Sequence, residues 1–258
     1  MRHFMNRSVL FLVGIICFVS LAFTSLAQAE TLLQSSLFSR IYLAFSVDKK
    51  AAQAWLPAPW KVISVPKGPF KGANVMVLFD DNFIMQDGEG KQFLGGSFCF
   101  AAIVSFAKHE QTGEFATFVN RIYWPYDDPS TYKNAVKATV FRGATLQGAN
   151  LGGKASEVWK VQDSAGGTLE FLMDYQRAVP KRKKSEIKAR SSVDPDIIFI
   201  YRDDYADDLV KSIPAGIDRV KNYKFKVTMS ELRKMFDGSE QLVAISVNPS
   251  RVRQKFGP

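Results

Sequence analysis

The stretch from Glu114 to Gly143, EFATFVNRIYWPYDDPSTYKNAVKATVFRG, constrains the fold more than any other part of the chain. At its start, Phe115, Thr117, Val119, Arg121 and Tyr123 alternate with Ala116, Phe118, Asn120, Ile122 and Trp124. Successive side chains of a strand point to opposite faces, and here both faces are largely apolar. A strand covered on both sides belongs in the wall of a barrel or a sandwich. Pro125 then interrupts ladder pairing. Asp128 followed by Pro129 has the chemistry of a helix start, so the pattern predicts a helix over 129–138. That helix would put Lys133 and Lys137 on one face. Two ammonium groups so placed repel each other, and apolar surroundings penalise their charge further. Both effects lower a lysine pKa and free its lone pair to attack a carbonyl. Lys133 and Lys137 are therefore the candidate nucleophiles; the plainer alternative is a pair of solvated surface lysines.

The first 29 residues have the pattern of a secretory leader: Arg2 and Arg7, an apolar run from Val9 to Leu26, and Ala27-Gln28-Ala29 as a small-residue cleavage site. The competing reading is an uncleaved anchor, since the apolar run approaches the ~20 residues that span a bilayer. The expected setting is periplasmic or secreted, with residues 30–258 forming one domain: no Pro/Ser-rich linker divides them and no repeat is visible. Cys17 departs with the leader and leaves Cys99 alone, so no internal disulfide is expected even in an oxidising compartment. Cys99 sits in the apolar run Phe98-Cys99-Phe100-Ala101 and reads as a buried, inert thiol. With His109 the one histidine of the mature chain, a zinc site rich in Cys or His is excluded and no metal is expected. Loss of Arg2 and Arg7 with the leader takes the formal charge from +9 to +7, which reads either as general surface charge and solubility or as attraction of anionic small molecules or a membrane surface. Nucleic acid is a poor partner for an exported chain without a recognition motif.

Along the chain, Phe38 to Val47 reads as a strand, and Asp48 caps a short helix over Lys49 to Leu56 that Pro57 stops. Ala73 to Phe79 is a strand expected to end at Asp80-Asp81-Asn82, and Phe93 to Phe106 contains another. Glu157 to Gln162 and Thr168 to Gln176 form a hairpin around Asp163-Ser164-Ala165-Gly166-Gly167. Lys181, Arg182, Lys183 and Lys184 read as an exposed loop or edge, with a membrane contact as the functional option. Ile197 to Tyr201 is a buried strand, and Asp207 opens a short helix ending at Pro214. Thr228 to Glu231 has the form of a capping box opening a helix through Phe236, and the basic tail Arg251 to Lys255 reads as frayed. No G-x-G-x-x-G joins a strand to a helix, so no dinucleotide cofactor is expected. About nine to twelve strands with three or four short helices predict a mainly β (α+β) fold: a large curved antiparallel sheet or barrel enclosing a cavity.

VDKKAAQAWLP, the strand and turn before Lys133, IIFIYRDDYADDLVKS and SELRKMFDGSEQLVAI together resemble the acetoacetate decarboxylase-like superfamily over most of residues 38–250. The resemblance implies a barrel around a pocket and a lysine that forms a Schiff base with a keto acid. On that reading Lys133 or Lys137 is the nucleophile, Glu114 a proton shuttle, and Arg121 or Arg142 a carboxylate clamp. Tyr123 is placed with the substrate-binding residues. Three functions remain open at this point: a barrel that binds a small keto-acid-like or apolar molecule, a Schiff-base decarboxylase or aldolase, and an envelope interaction protein using the basic patch.

Overall fold

The computed structural model describes residues 30–149 and 151–257. The leader-like segment 1–29 lies outside the described residues. The fold is built from strands, and among the described residues it has one α-helix, α1 (Lys49–Gln53), capped by the Asp48 carboxylate on the Ala51 N–H. The strands in the first half are β1 (Thr31–Ser46), β2 (Trp60–Val62), β3 (Val75–Asp87), β4 (Phe98–His109), β5 (Phe115–Trp124) and β6 (Ala135–Gln147). In the second half come β7 (Lys154–Asp163), β8 (Thr168–Gln176), β9 (Lys181–Ser191), β10 (Ile198–Ser212), β11 (Ile217–Asp218), β12 (Val220–Val227) and β13 (Gln241–Gly257).

Seven of these strands close into a ring in the order β5, β9, β10, β13, β1, β3, β4, because β4 pairs again with β5. A second, antiparallel run, β6-β7-β8-β12, branches from the same strand β5. Most pairs are antiparallel; β5 is parallel to both β6 and β9. The branched run folds over the outside of β1, β3 and β4, so those three strands are covered on both faces. Their period-2 alternation divides the core in two. Ile41, Leu43, Phe45, Val75, Val77, Phe79, Ala101 and Ile103 face the second sheet and pack on Trp159, Phe171 and Met173. Phe79 stacks on Phe171 at 5.5 Å and lies 5.2 Å from Trp159. Ala44, Met76, Leu78, Ala102 and Val104 face the inside of the ring.

The mainly β architecture around an enclosed cavity agrees with the sequence reading, and the hairpin around Asp163–Gly167 is β7-β8. Three predicted helices are corrected. Over 129–138 there is a turn and then β6; Ser130 and Lys133 have φ of 63° and 58°, which a right-handed helix cannot contain. At Asp207 the chain stays extended to Ser212, because Asp208, Val210 and Ser212 alternate into the interior. Between Met229 and Phe236 the backbone makes successive i to i+3 turns, which bury Met229, Leu232, Met235 and Phe236 against the second sheet. The lysine-rich run is the start of β9, paired with β10 alone, and so is the exposed edge of the two options expected, whereas the tail expected to fray is the paired end of β13. β3 passes through Asp80 because Arg40 receives that carboxylate inside the ring.

Trp159, 1% exposed, joins the two sheets. Trp159→Ala is expected to cost about 3–5 kcal/mol, read as a lower urea midpoint in equilibrium unfolding.

Candidate functional site

The interior of the ring is organised by one irregularity. Where β1 pairs with β13, Phe38 faces Arg251 and Arg40 faces Asn248, so Pro249 and Ser250 form a bulge. The bulge reverses which alternate residues of β13 point inward. Before it Ala244 and Ser246 face the barrel; after it Arg251, Arg253 and Lys255 do. The tail Arg-Val-Arg-Gln-Lys thereby places three cations in a low-dielectric space.

Most of that charge is balanced. Arg40 of β1 forms a two-pronged pair with Asp80 of β3, the Nε contact being 2.6 Å. Asp203 of β10 accepts from Arg251 NH2 at 2.7 Å and from Arg253 Nε at 2.7 Å. Burial alone would raise the Asp203 carboxyl, but the two guanidinium groups outweigh it and hold it far below the usual carboxylate range. Tyr132 and Tyr201 join their hydroxyls at 2.7 Å across the interior, and burial raises the pKa of both. Arg40, Arg253, Tyr132 and Tyr201 form a polar waist with a compartment on either side.

The upper compartment, about 290 Å³, is lined by Phe93, Phe98 and Trp124 near its mouth and by Lys255 and the waist below. Lys255 is 6% exposed. Its Nζ donates to Thr131 Oγ1 at 2.7 Å and lies 3.8 Å from the centroid of the Phe199 ring. Among the described residues it makes no ion pair. Burial, reinforced by the Arg253 charge, pushes its pKa down to about 8. The lining of the upper compartment includes Arg40, Arg253 and Lys255 against Asp80 and Asp128, a surplus of one positive charge. The arrangement can attract an anion and present a partly unprotonated amine to it.

The lower compartment, about 320 Å³, has a different character. Met76, Leu78, Ala102, Val104, Phe106 and Val119 give it an apolar wall, to which Arg40, Arg251, Arg253 and the Lys183–Asp207 ion pair also contribute.

The residues singled out from the sequence lie elsewhere. Lys133 is 63% exposed, with its Nζ 3.0 Å from Asp194. Lys137, on β6, is 56% exposed and pairs with Asp127. The shared helical face and apolar surroundings expected for the two lysines are thus replaced by separate ion pairs facing water. Glu114 pairs with Arg190 at the surface at 2.9 Å. Arg121 and Tyr123 do come together, on Glu231: Arg121 NH2 donates to Oε2 at 2.6 Å and the Tyr123 hydroxyl to Oε1. Both point away from the ring interior and fasten the turn segment that carries Glu231. Arg142 bridges Asp81 at 2.6 Å and Glu157 at 2.8 Å, between the sheets. None of the six lines either compartment. In the basic run, Arg182 and Lys184 both reach Asp204, so that strand is partly neutralised. Lys255 could have been found from the alternation Arg251-x-Arg253-x-Lys255 after Pro249, a strand pattern with every cation on one side.

No protein-family model and no curated protein matches the sequence. Comparison with solved structures does find relatives in shape. An acetoacetate decarboxylase-like enzyme from Sphingomonas wittichii RW1 superposes with a TM-score of 0.55 at 12% identity, covering 91% of this chain and 95% of the other. The enduracididine biosynthesis enzyme MppR gives 0.53 at 9% identity, covering 91% and 89%. Acetoacetate decarboxylase from Legionella pneumophila gives 0.50 at 9% identity, covering 93% and 95%. The fold is therefore acetoacetate decarboxylase-like, as the sequence resemblance implied.

The buried amine has a thermodynamic signature. A lysine whose pKa is lower folded than unfolded costs stability wherever the folded state must carry its charge, below about pH 8, and the cost fades as pH rises toward the unfolded value near 10.5. Relative to Lys255→Met, the wild-type protein should gain about 2.5 kcal/mol between pH 6 and pH 10, measured by urea unfolding of both proteins across that range.

Proposed function

We propose that this protein binds a small keto acid in the upper compartment and holds it as an imine on Lys255. The observation that carries the reading is Lys255 itself: a buried amine beside a guanidinium, hydrogen-bonded only to a neutral hydroxyl and without a carboxylate to neutralise it. At a pKa near 8, about one such amine in ten is unprotonated at pH 7, against about one in three thousand for an ordinary lysine. The neutral nitrogen bonds to the carbonyl carbon, and the carbonyl oxygen leaves as water with the two nitrogen-bound protons. Arg253, on the floor of the same compartment, holds Asp203 with Nε and NH2 and keeps NH1 for the carboxylate of the ligand. Once formed, a protonated imine withdraws electrons from the neighbouring carbon, which suits decarboxylation of a 3-oxo acid or formation of a carbon–carbon bond. The fold likeness supports this reading, and the neighbour MppR is seen both with pyruvate and with a condensation product of pyruvate and imidazole 4-carboxaldehyde. The leader-like residues 1–29 support an extracytoplasmic setting, which the N-terminal residue of the protein purified from its own host tests.

Borohydride reduction in the presence of pyruvate, followed by peptide mapping, should place the adduct on Lys255, with the yield rising as pH approaches 8. Lys255→Met should abolish it, while Lys133→Met and Lys137→Met leave it unchanged. Labelling spread over exposed lysines, or retained in Lys255→Met, would sink the proposal. Release of carbon dioxide from acetoacetate would make the protein a lyase; trapping without release would make it a binding protein.

A further inference from the structure

The lower compartment is a second ligand site of different chemistry. We infer that it takes an uncharged, mainly apolar molecule of about ten non-hydrogen atoms carrying a hydrogen-bond-accepting oxygen. The size follows from about 320 Å³ of space at roughly 30 Å³ per water-sized group. The apolar character follows from a wall of aliphatic and aromatic side chains supplied by β3, β4 and β5. The preference for an uncharged ligand follows from the ion pairing: every cation that lines the space already meets a carboxylate, Lys183 with Asp207, Arg40 with Asp80, and Arg251 and Arg253 with Asp203. This contrasts with the upper compartment, where Lys255 makes no ion pair among the described residues.

Two donors give the ligand its polar feature. Arg251, 1% exposed, leaves its Nε without an acceptor, and the buried Ser185 hydroxyl also lacks a partner. Both residues line the lower compartment, with the two orphan atoms themselves closed off from it, so a ligand oxygen meets either one through a small shift of the side chain. A buried donor without an acceptor costs about 1–3 kcal/mol, so an oxygen that reached either would bind through a group the fold leaves unsatisfied. A ketone, ester or ether oxygen on an apolar body has this chemistry; a carboxylate would have to be stripped of water among apolar walls. The waist of Arg40, Arg253, Tyr132 and Tyr201 separates this space from Lys255, so the site stands independently of imine formation.

Titration calorimetry with 2-nonanone tests the inference on the full chain. Saturable binding of one molecule is expected, with nonanoate at least tenfold weaker. Ala102→Phe and, as a second filling variant, Ala189→Phe should remove ketone binding, and Ser185→Ala should weaken it roughly threefold to tenfold. Borohydride trapping of pyruvate serves as the control for the upper compartment and should survive in all three. No saturable heat with the ketone, nonanoate binding as well as the ketone, or binding indifferent to both filling variants would overturn the inference, whatever happens at Lys255.

Discussion

A strand has two edges, and β5 divides one of its own between two partners. One edge pairs with β4 from Phe115 to Tyr123; the other pairs with β9 at Thr117–Val119 and with β6 at Ile122–Trp124. The first half of that divided edge closes the ring and the second half sends a separate sheet across its outside. Backbone groups at the division have no continuous strand to pair with, and an unpaired buried backbone group is costly. Polar residues take over there. The Asn134 side chain donates to the Val119 carbonyl, the Ser192 hydroxyl to the Asn120 carbonyl, and the Arg121 guanidinium to the Asn134 carbonyl. Asn134, Ser192 and Arg121 complete the ladder where one partner gives way to the next.

Inside the ring, charge is arranged with similar economy. Each inward cation of the β13 tail rests on an aromatic ring of β10: Arg251 over Tyr205 at 4.1 Å, Arg253 over Tyr201 at 4.3 Å, and Lys255 over Phe199 at 3.8 Å. Ring faces attract cations that have lost water, by about 0.5–2 kcal/mol each. For the arginines this adds to direct contact with Asp203. For Lys255 the rings of Phe199 and Tyr132 and the Thr131 hydroxyl are too little to offset desolvation, and so its proton is held loosely. Cys99 is the opposite case. Burial, with Asp81 close by, pushes its thiol up to about 12 and keeps it protonated.

Most of the architecture was legible in the sequence because period-2 alternation is a strong signal. The apolar faces of Phe115–Trp124 and the hairpin around Asp163–Gly167 needed only that rule, and the resemblance to acetoacetate decarboxylase-like proteins pointed to the same fold. The short helices misled because local chemistry agreed with helix while the wider structure did not: Asp128-Pro129 and the Thr228–Glu231 box are good starts, but each opens a tight turn instead. Lys255 escapes local patterns for a related reason. A search for paired lysines finds those adjacent on a helix, whereas the buried lysine is set apart by its surroundings. Its neighbours Thr131, Phe199 and Arg253 reach it through the closure of the ring and through a bulge at Pro249-Ser250, and no local pattern announces either.

The turn between β5 and β6 is fixed by its own bonds. Asp128 accepts the Ser130 N–H, Ser130 Oγ accepts the Tyr132 N–H at 3.2 Å, and the Ser191 hydroxyl donates to the Tyr132 carbonyl at 2.6 Å. This segment carries Thr131 and Tyr132 into the cavity wall. The opening above Lys255 is consequently a stiff collar whose bore is settled when the chain folds. Whatever occupies the space beneath must match that girth.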